Sequence, residues 1–95
     1  MFARIARHEG GDTEQVRRMN EQRMASGDMG LPDGCRRVMV LAGDDHRLFI
    51  TFFDDKAAMA AAETRFEEMG NEIPEEVRGR RASVDVYEAV IDQQA

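Results

Sequence analysis

The sequence has little of what metal-bound, disulfide-held or membrane-embedded proteins need. A single cysteine, Cys35, cannot close an intrachain disulfide and offers no zinc spacing. Two histidines, His8 and His46, leave little ligand capacity, so no metal is expected. No uncharged apolar stretch approaches the ~18 residues of a membrane helix, so no membrane partner is expected either. Charges fall within a few positions of the start, between Met1 and Glu9, which argues against a secretory leader and for a reducing cytoplasm. Basic residues are outnumbered, 13 Lys and Arg against 19 Asp and Glu, for a net charge of -6. That balance argues against a nucleic-acid backbone or an anionic membrane as the main partner, while leaving room for a local basic patch. There is no low-complexity tract, and the 42% hydrophobic and 34% charged composition is that of a globular domain.

At 95 residues the chain holds one core, because single domains typically run ~100–150 residues. One domain over residues 1–91 is expected, with a frayed tail at 92–95. Phe2 to His8 reads as a strand closed by Glu9-Gly10-Gly11. Asp12 then has the character of an N-cap, with Gln15 as its capping-box partner. Thr13 to Ser26 is rich in helix formers, and Gly27 suits its stop. The apolar stripe of this helix is poor: Val16, Met19 and Met24, with Asn20 and Arg23 on or beside the same face. Leu31-Pro32-Asp33-Gly34 is a turn. Cys35 to Ala42 and Leu48 to Phe53 read as strands joined by a Gly43-Asp44-Asp45 hairpin turn. Asp54, or Asp55 with it, caps an alanine-rich helix from Lys56 to Met69, closed by Gly70. Its stripe of Met59, Ala62, Phe66 and Met69 keeps one helical face. Pro74 and Gly79 bound a loop, and Ala82 to Val90 is the last strand.

The predicted order is βαββαβ, the ferredoxin-like α+β arrangement: a four-stranded antiparallel sheet with two helices on one face. The other face must meet water or a partner. A wet face would alternate apolar with polar, and the central strands do not. Leu48, Ile50 and Phe52 point one way, Phe49, Thr51 and Phe53 the other; Val38 and Val40 oppose Met39 and Leu41. Each such side chain left wet forfeits roughly 1.5–3 kcal/mol. A second copy covering this face, as a C₂ homodimer, is the expected solution.

Several segments bear on kinship: the opening Met1-Phe2-Ala3-Arg4-Ile5-Ala6-Arg7 strand, the Leu31-Pro32-Asp33-Gly34 turn, Ile50-Thr51-Phe52-Phe53-Asp54-Asp55 running into an alanine-rich helix, and the closing Ser83-Val84-Asp85-Val86-Tyr87-Glu88. Together they resemble the dimeric α/β-barrel superfamily and, within it, the antibiotic-biosynthesis-monooxygenase-like proteins. The resemblance covers nearly the whole chain. It implies a pocket in each subunit between helices and sheet, and either metal- and flavin-free oxidation of polycyclic phenols or haem cleavage. It also implies a polar residue late in the first strand, which falls here at Ala6 or Arg7, and a tryptophan ending the third, which falls here at Phe53. Haem cleavers add a histidine on the second helix; none stands there, which argues against haem. No cofactor is expected.

His8, Arg23 and Tyr87 are the candidate catalytic residues. His8 is a strand-end group whose ordinary titration lies near pH 6.5; the alternative is a plain surface histidine. Arg7, Asn20, Arg23, Phe53, Met59 and Phe66 are the candidate ligand-binding residues, for an apolar or aromatic small molecule. Asn20 and Arg23 suggest a lined cavity beside a weakly apolar helix, against simple solvent exposure. Arg7 and Arg37 suit an anion clamp or strand-edge ion pairs. Asp85 and Tyr87 share a strand face, suited to orienting a phenol or to a dimer contact. Met59, Phe66 and Met69 are core, and pocket wall where a cavity exists. Asp44, Asp45 and His46 read as turn residues, and Cys35 as an inert buried thiol.

Two functions are carried forward: a small-molecule-binding homodimer resembling cofactor-independent monooxygenases, and a non-catalytic ligand-binding or accessory dimer of the same fold. An RNA-recognition module, with Phe2, Phe49 and Phe53 as stacking groups, is opposed by the acidic charge and by Thr51 where a second aromatic belongs.

Overall fold

Strands β1 (Phe2–Glu9) and β3 (His46–Phe53) form the centre of the computed structural model, which describes every residue from Met1 to Ala95. They are flanked by β4 (Arg80–Glu88) and β2 (Cys35–Ala42) in a four-stranded sheet of order β2-β3-β1-β4, with every neighbouring pair antiparallel. Helices α1 (Thr13–Ser26), α2 (Lys56–Ala61), α3 (Glu63–Glu72) and α4 (Glu75–Arg78) complete an α+β chain compatible with a ferredoxin-like fold.

Local chemistry sets the ends of these elements. Asp12 is extended and its carboxylate accepts from the Gln15 backbone N–H at 3.2 Å, starting α1. Gly27 stops α1 in the left-handed region at φ 78°, where its N–H reaches the Met24 carbonyl. Asp55, rather than Asp54, caps α2 through a 2.6 Å bond to the Ala58 N–H. Gly43 N–H donates to the His46 carbonyl at 2.9 Å and closes the β2–β3 hairpin.

The helix expected from Lys56 to Met69 divides at Ala62 into α2 and α3, and α3 runs through Gly70 to Glu72. Pro74 supplies the stop: it holds Ile73 extended, at φ -103° and ψ 121°, because the proline ring disfavours helix in the residue before it. The expected loop before the last strand is a single helical turn, α4, and β4 opens at Arg80 instead of Ala82.

Register decides which side chains meet the helices. Phe2, Arg4, Ala6 and His8 stand opposite Phe53, Thr51, Phe49 and Arg47. These share one face, because side chains two apart on a strand point the same way. Phe53 is fully buried with Met59 and Ala62, and Phe2, Cys35, Ala58 and Phe66 pack around them. Helix α1 buries no residue, as its thin stripe foretells. The opposite face carries Ala3, Ile5 and Arg7 with Phe52, Ile50 and Leu48, flanked by Met39 and Leu41 of β2 and by Asp85 and Tyr87 of β4. Leu41 is 46% exposed there.

Two irregularities re-aim side chains. Between Arg7 and His8 the β1–β4 register slips, so Arg7 faces Ser83 while His8 faces Arg81. This bulge at Ala82 turns Arg81 onto the helix side, where strict alternation would have left it on the open face. A second slip lies between Cys35 and Arg37 on β2. The β1–α1 turn closes tightly on the α4–β4 junction. A Cβ on Gly11 would sit 2.6 Å from the Val77 carbonyl oxygen and 2.7 Å from Arg47 Nη2, so glycine is required there.

Candidate functional site

Between the sheet and the α3–α4 segment lies a cavity of about 490 Å³. Its apolar wall is made by Phe49 and Val38 of the sheet and Phe66 and Met69 of α3, with Leu31 contributed by the loop after α1. Its polar part is made by His8 of β1, Arg78 of α4 and Arg81 of β4, whose two guanidinium groups lie near the imidazole. Arg4 and Thr51, direct partners across β1 and β3, line it as well.

Arg4 is 4% exposed, yet it is charged. Its Nε donates to Glu63 Oε1 at 2.7 Å and its Nη2 to Oε2 at 3.4 Å, while its guanidinium lies 4.2 Å from the centre of the Phe66 ring. The carboxylate and the ring face together make burial of this cation tolerable. Phe66 in turn meets Phe53 edge to face, with centroids 6.1 Å apart. The chain from Phe53 through Phe66 to Arg4 thus joins the apolar core to the cavity.

His8 stands edge-on to Phe49, with centroids 5.0 Å apart and planes at 79°. Its Nδ1 is buried without a hydrogen-bond partner, as is Thr51 Oγ1. Burial, followed by the nearby charges of Arg78 and Arg81, pulls the His8 pKa down to about 4. At neutral pH it is therefore an uncharged imidazole. Behind it Arg47, 3% exposed, donates Nη1 to Thr13 Oγ1 at 2.9 Å and leaves Nε and Nη2 unpartnered.

Of the candidate site and pocket-wall residues expected from the sequence, His8, Phe66 and Met69 line the cavity. Phe53 and Met59 lie beside it in the core. Arg7 points to the opposite sheet face, 3.5 Å from Glu9. Asn20 is exposed on α1, its Nδ2 within 3.6 Å of Met24 Sδ. Arg23 ties the loop after α1 to α3, donating to the Met29 carbonyl and to Glu72, each at 3.3 Å. Arg65 grips the same loop through the Gly30 carbonyl at 2.7 Å and shares Glu72, whose carboxyl these contacts hold below its ordinary value. Tyr87 stands on the open face opposite Ala3, 55% exposed.

Arg4, Thr51, Arg78 and Arg81 also line the cavity, though none is among the ligand-binding or catalytic residues expected from the sequence. Parity with Phe2 and Ala6 signals Arg4 and Thr51, but no local pattern signals Arg81, since a bulge turns it. No group of three or more His, Cys, Asp and Glu side chains is placed to hold a metal ion. No helix is long and apolar enough to cross a membrane. No protein-family model matches the chain, and no curated protein matches it in sequence.

Proposed function

We propose that the chain is a small-molecule-binding protein, resembling cofactor-independent monooxygenases of the antibiotic-biosynthesis type, with its ligand in the cavity between the sheet and α3–α4. The observation that carries this reading is the cavity itself: about 490 Å³, walled by aromatic and methionine side chains, with a few convergent polar groups and a histidine shifted far from its ordinary pKa. A packed core would have filled this space. The resemblance asks for a polar group late in the first strand; Arg7 points away and His8 points in. A neutral imidazole there accepts a hydrogen bond from a phenolic hydroxyl, and the arginines stabilise negative charge developing on that oxygen.

The same low pKa makes His8 a weak base in the empty cavity, which favours the second reading, a binding protein without turnover. Two copies meeting through the open sheet face complete the proposed assembly. Their contact would be centred on Phe52, Leu48 and Leu41, which share the open sheet face with Ile50 and of which Leu41 is 46% exposed.

Titration with 2-naphthol, followed by NMR, tests the site. Shifts at Phe66, Met69 and His8 support it, and their absence at saturating naphthol overturns it. Oxygen uptake with 2-naphthol or anthrone, compared with a His8→Ala variant, separates the two readings. Uptake that depends on His8 makes the protein an oxygenase, and binding without uptake makes it a ligand-binding protein.

A further inference from the structure

The charge inside the cavity runs against the charge of the protein. The chain as a whole is at -6, yet the cavity wall holds Arg4, Arg78 and Arg81 against a single carboxylate, Glu67. Arg4 is matched by Glu63. Arg78 spends its Nε and Nη1 on the Ile73 and Gly79 carbonyls, at 3.1 and 3.2 Å, which are neutral partners. No carboxylate lies within ion-pair distance of Arg78, Arg81 or Arg47. Arg47 is buried directly across from His8, with two nitrogens unpartnered. Of these three arginines, Arg47 is buried, Arg78 half-buried and Arg81 exposed at the rim, and none has an acidic partner although the chain carries 19 acidic side chains. The bulge at Ala82 adds to the imbalance by turning Arg81 toward His8.

We propose that the cavity takes an aromatic molecule bearing a carboxylate, its anionic group held by His8, Arg78 and Arg81 and its apolar body against Phe49, Phe66 and Met69. This rests on the reading of the cavity as a ligand site and adds the chemical class of the ligand. Guanidinium groups match a carboxylate in shape and charge. The neutral His8 ring, once a negative charge arrives, gains a reason to hold a proton. It then donates from nitrogen to a carboxylate oxygen.

The experiment compares 2-naphthoate with 2-naphthamide, which share shape and differ in charge, by NMR titration of the full chain near neutral pH. Naphthoate is expected to bind at least about tenfold more tightly, and higher ionic strength is expected to weaken naphthoate alone. Arg81→Gln, at the accessible rim, is expected to remove most of the preference by weakening naphthoate far more than naphthamide. In the wild-type protein the His8 imidazole is expected to titrate at higher pH with naphthoate bound than with naphthamide bound, a readout that needs no variant. Equal affinities, or naphthoate shifts at Leu41 and Phe52 in place of Phe66 and Met69, overturn the anion assignment and leave the cavity reading standing. Failure of both compounds to bind overturns the two together.

Discussion

His8 and Arg47 are direct cross-strand partners on the helix face of the sheet, and each keeps a buried nitrogen without a hydrogen-bond partner. Burial disfavours a charged imidazole first, and the positive charges of Arg78 and Arg81, with a smaller part from Arg47, disfavour it further, while arginine keeps its proton. His8 yields.

A pH dependence follows from this shift. The His8 pKa is about 4 in the folded chain against 6.5 for an unperturbed histidine. As pH falls through 6.5, the unfolded chain takes up a proton that the folded chain refuses, so stability drops. The loss from this residue accumulates between about pH 7 and pH 4 and stops below, where both states are protonated. At about 1.36 kcal/mol per unit, reduced for solvent screening, it amounts to about 1–2 kcal/mol. Urea denaturation of wild type and His8→Gln at pH 7.5 and pH 5 checks it: the variant should lose less stability between the two pH values.

The Arg4–Glu63 pair yields a second prediction. Glu63→Gln leaves a buried guanidinium without its carboxylate, but Glu63 is itself half exposed, so water replaces part of the loss. A destabilisation of about 1–2 kcal/mol is expected by denaturant titration. Adding Arg4→Met should recover much of it, since an apolar chain of similar length suits the Phe66 wall. A double variant less stable than Glu63→Gln alone would show that the cation holds the site by another route.

Phe53 closes the core beneath the cavity. Phe53→Ala should cost about 3–5 kcal/mol, enough to unfold much of a small domain at room temperature. Phe53→Leu should cost far less and leave the cavity signals of Phe66 in place. Circular dichroism melts and NMR spectra of both variants test this.

Phe52, one residue earlier, faces the other way. In the proposed dimer Phe52→Asp places an uncompensated charge in the interface, so light scattering should report monomers and the subunits should largely unfold. A variant that stays folded and dimeric would rule out this face as the contact. Wild-type protein that sediments as a monomer at micromolar concentration would rule out the dimer itself.

Much of the architecture was legible in local patterns. Asp12 and Gly27 bracket α1, Gly43–Asp45 turns the hairpin, and period-two alternation sorts Phe52 from Phe53, because caps, turns and strand parity depend on neighbours in the chain. The break at Ala62 was not legible, since an alanine-rich run carries no local signal for a division there. The end of α3 was misplaced at Gly70, although Pro74 marks it.

What the sequence by itself determined is the order of the elements and the two-sided apolar character of β3. Both arise from interactions between residues a few positions apart. Only the tertiary structure decided the chemistry of the cavity. Glu63 reaches Arg4 across 59 positions. Arg78 and Arg81 come to His8 from a helical turn and a bulged edge strand, and Arg23 turns to hold a loop. The physical reason is that burial and charge are properties of a place in space. Residues far apart in the chain create that place together, and no segment of the chain contains it alone.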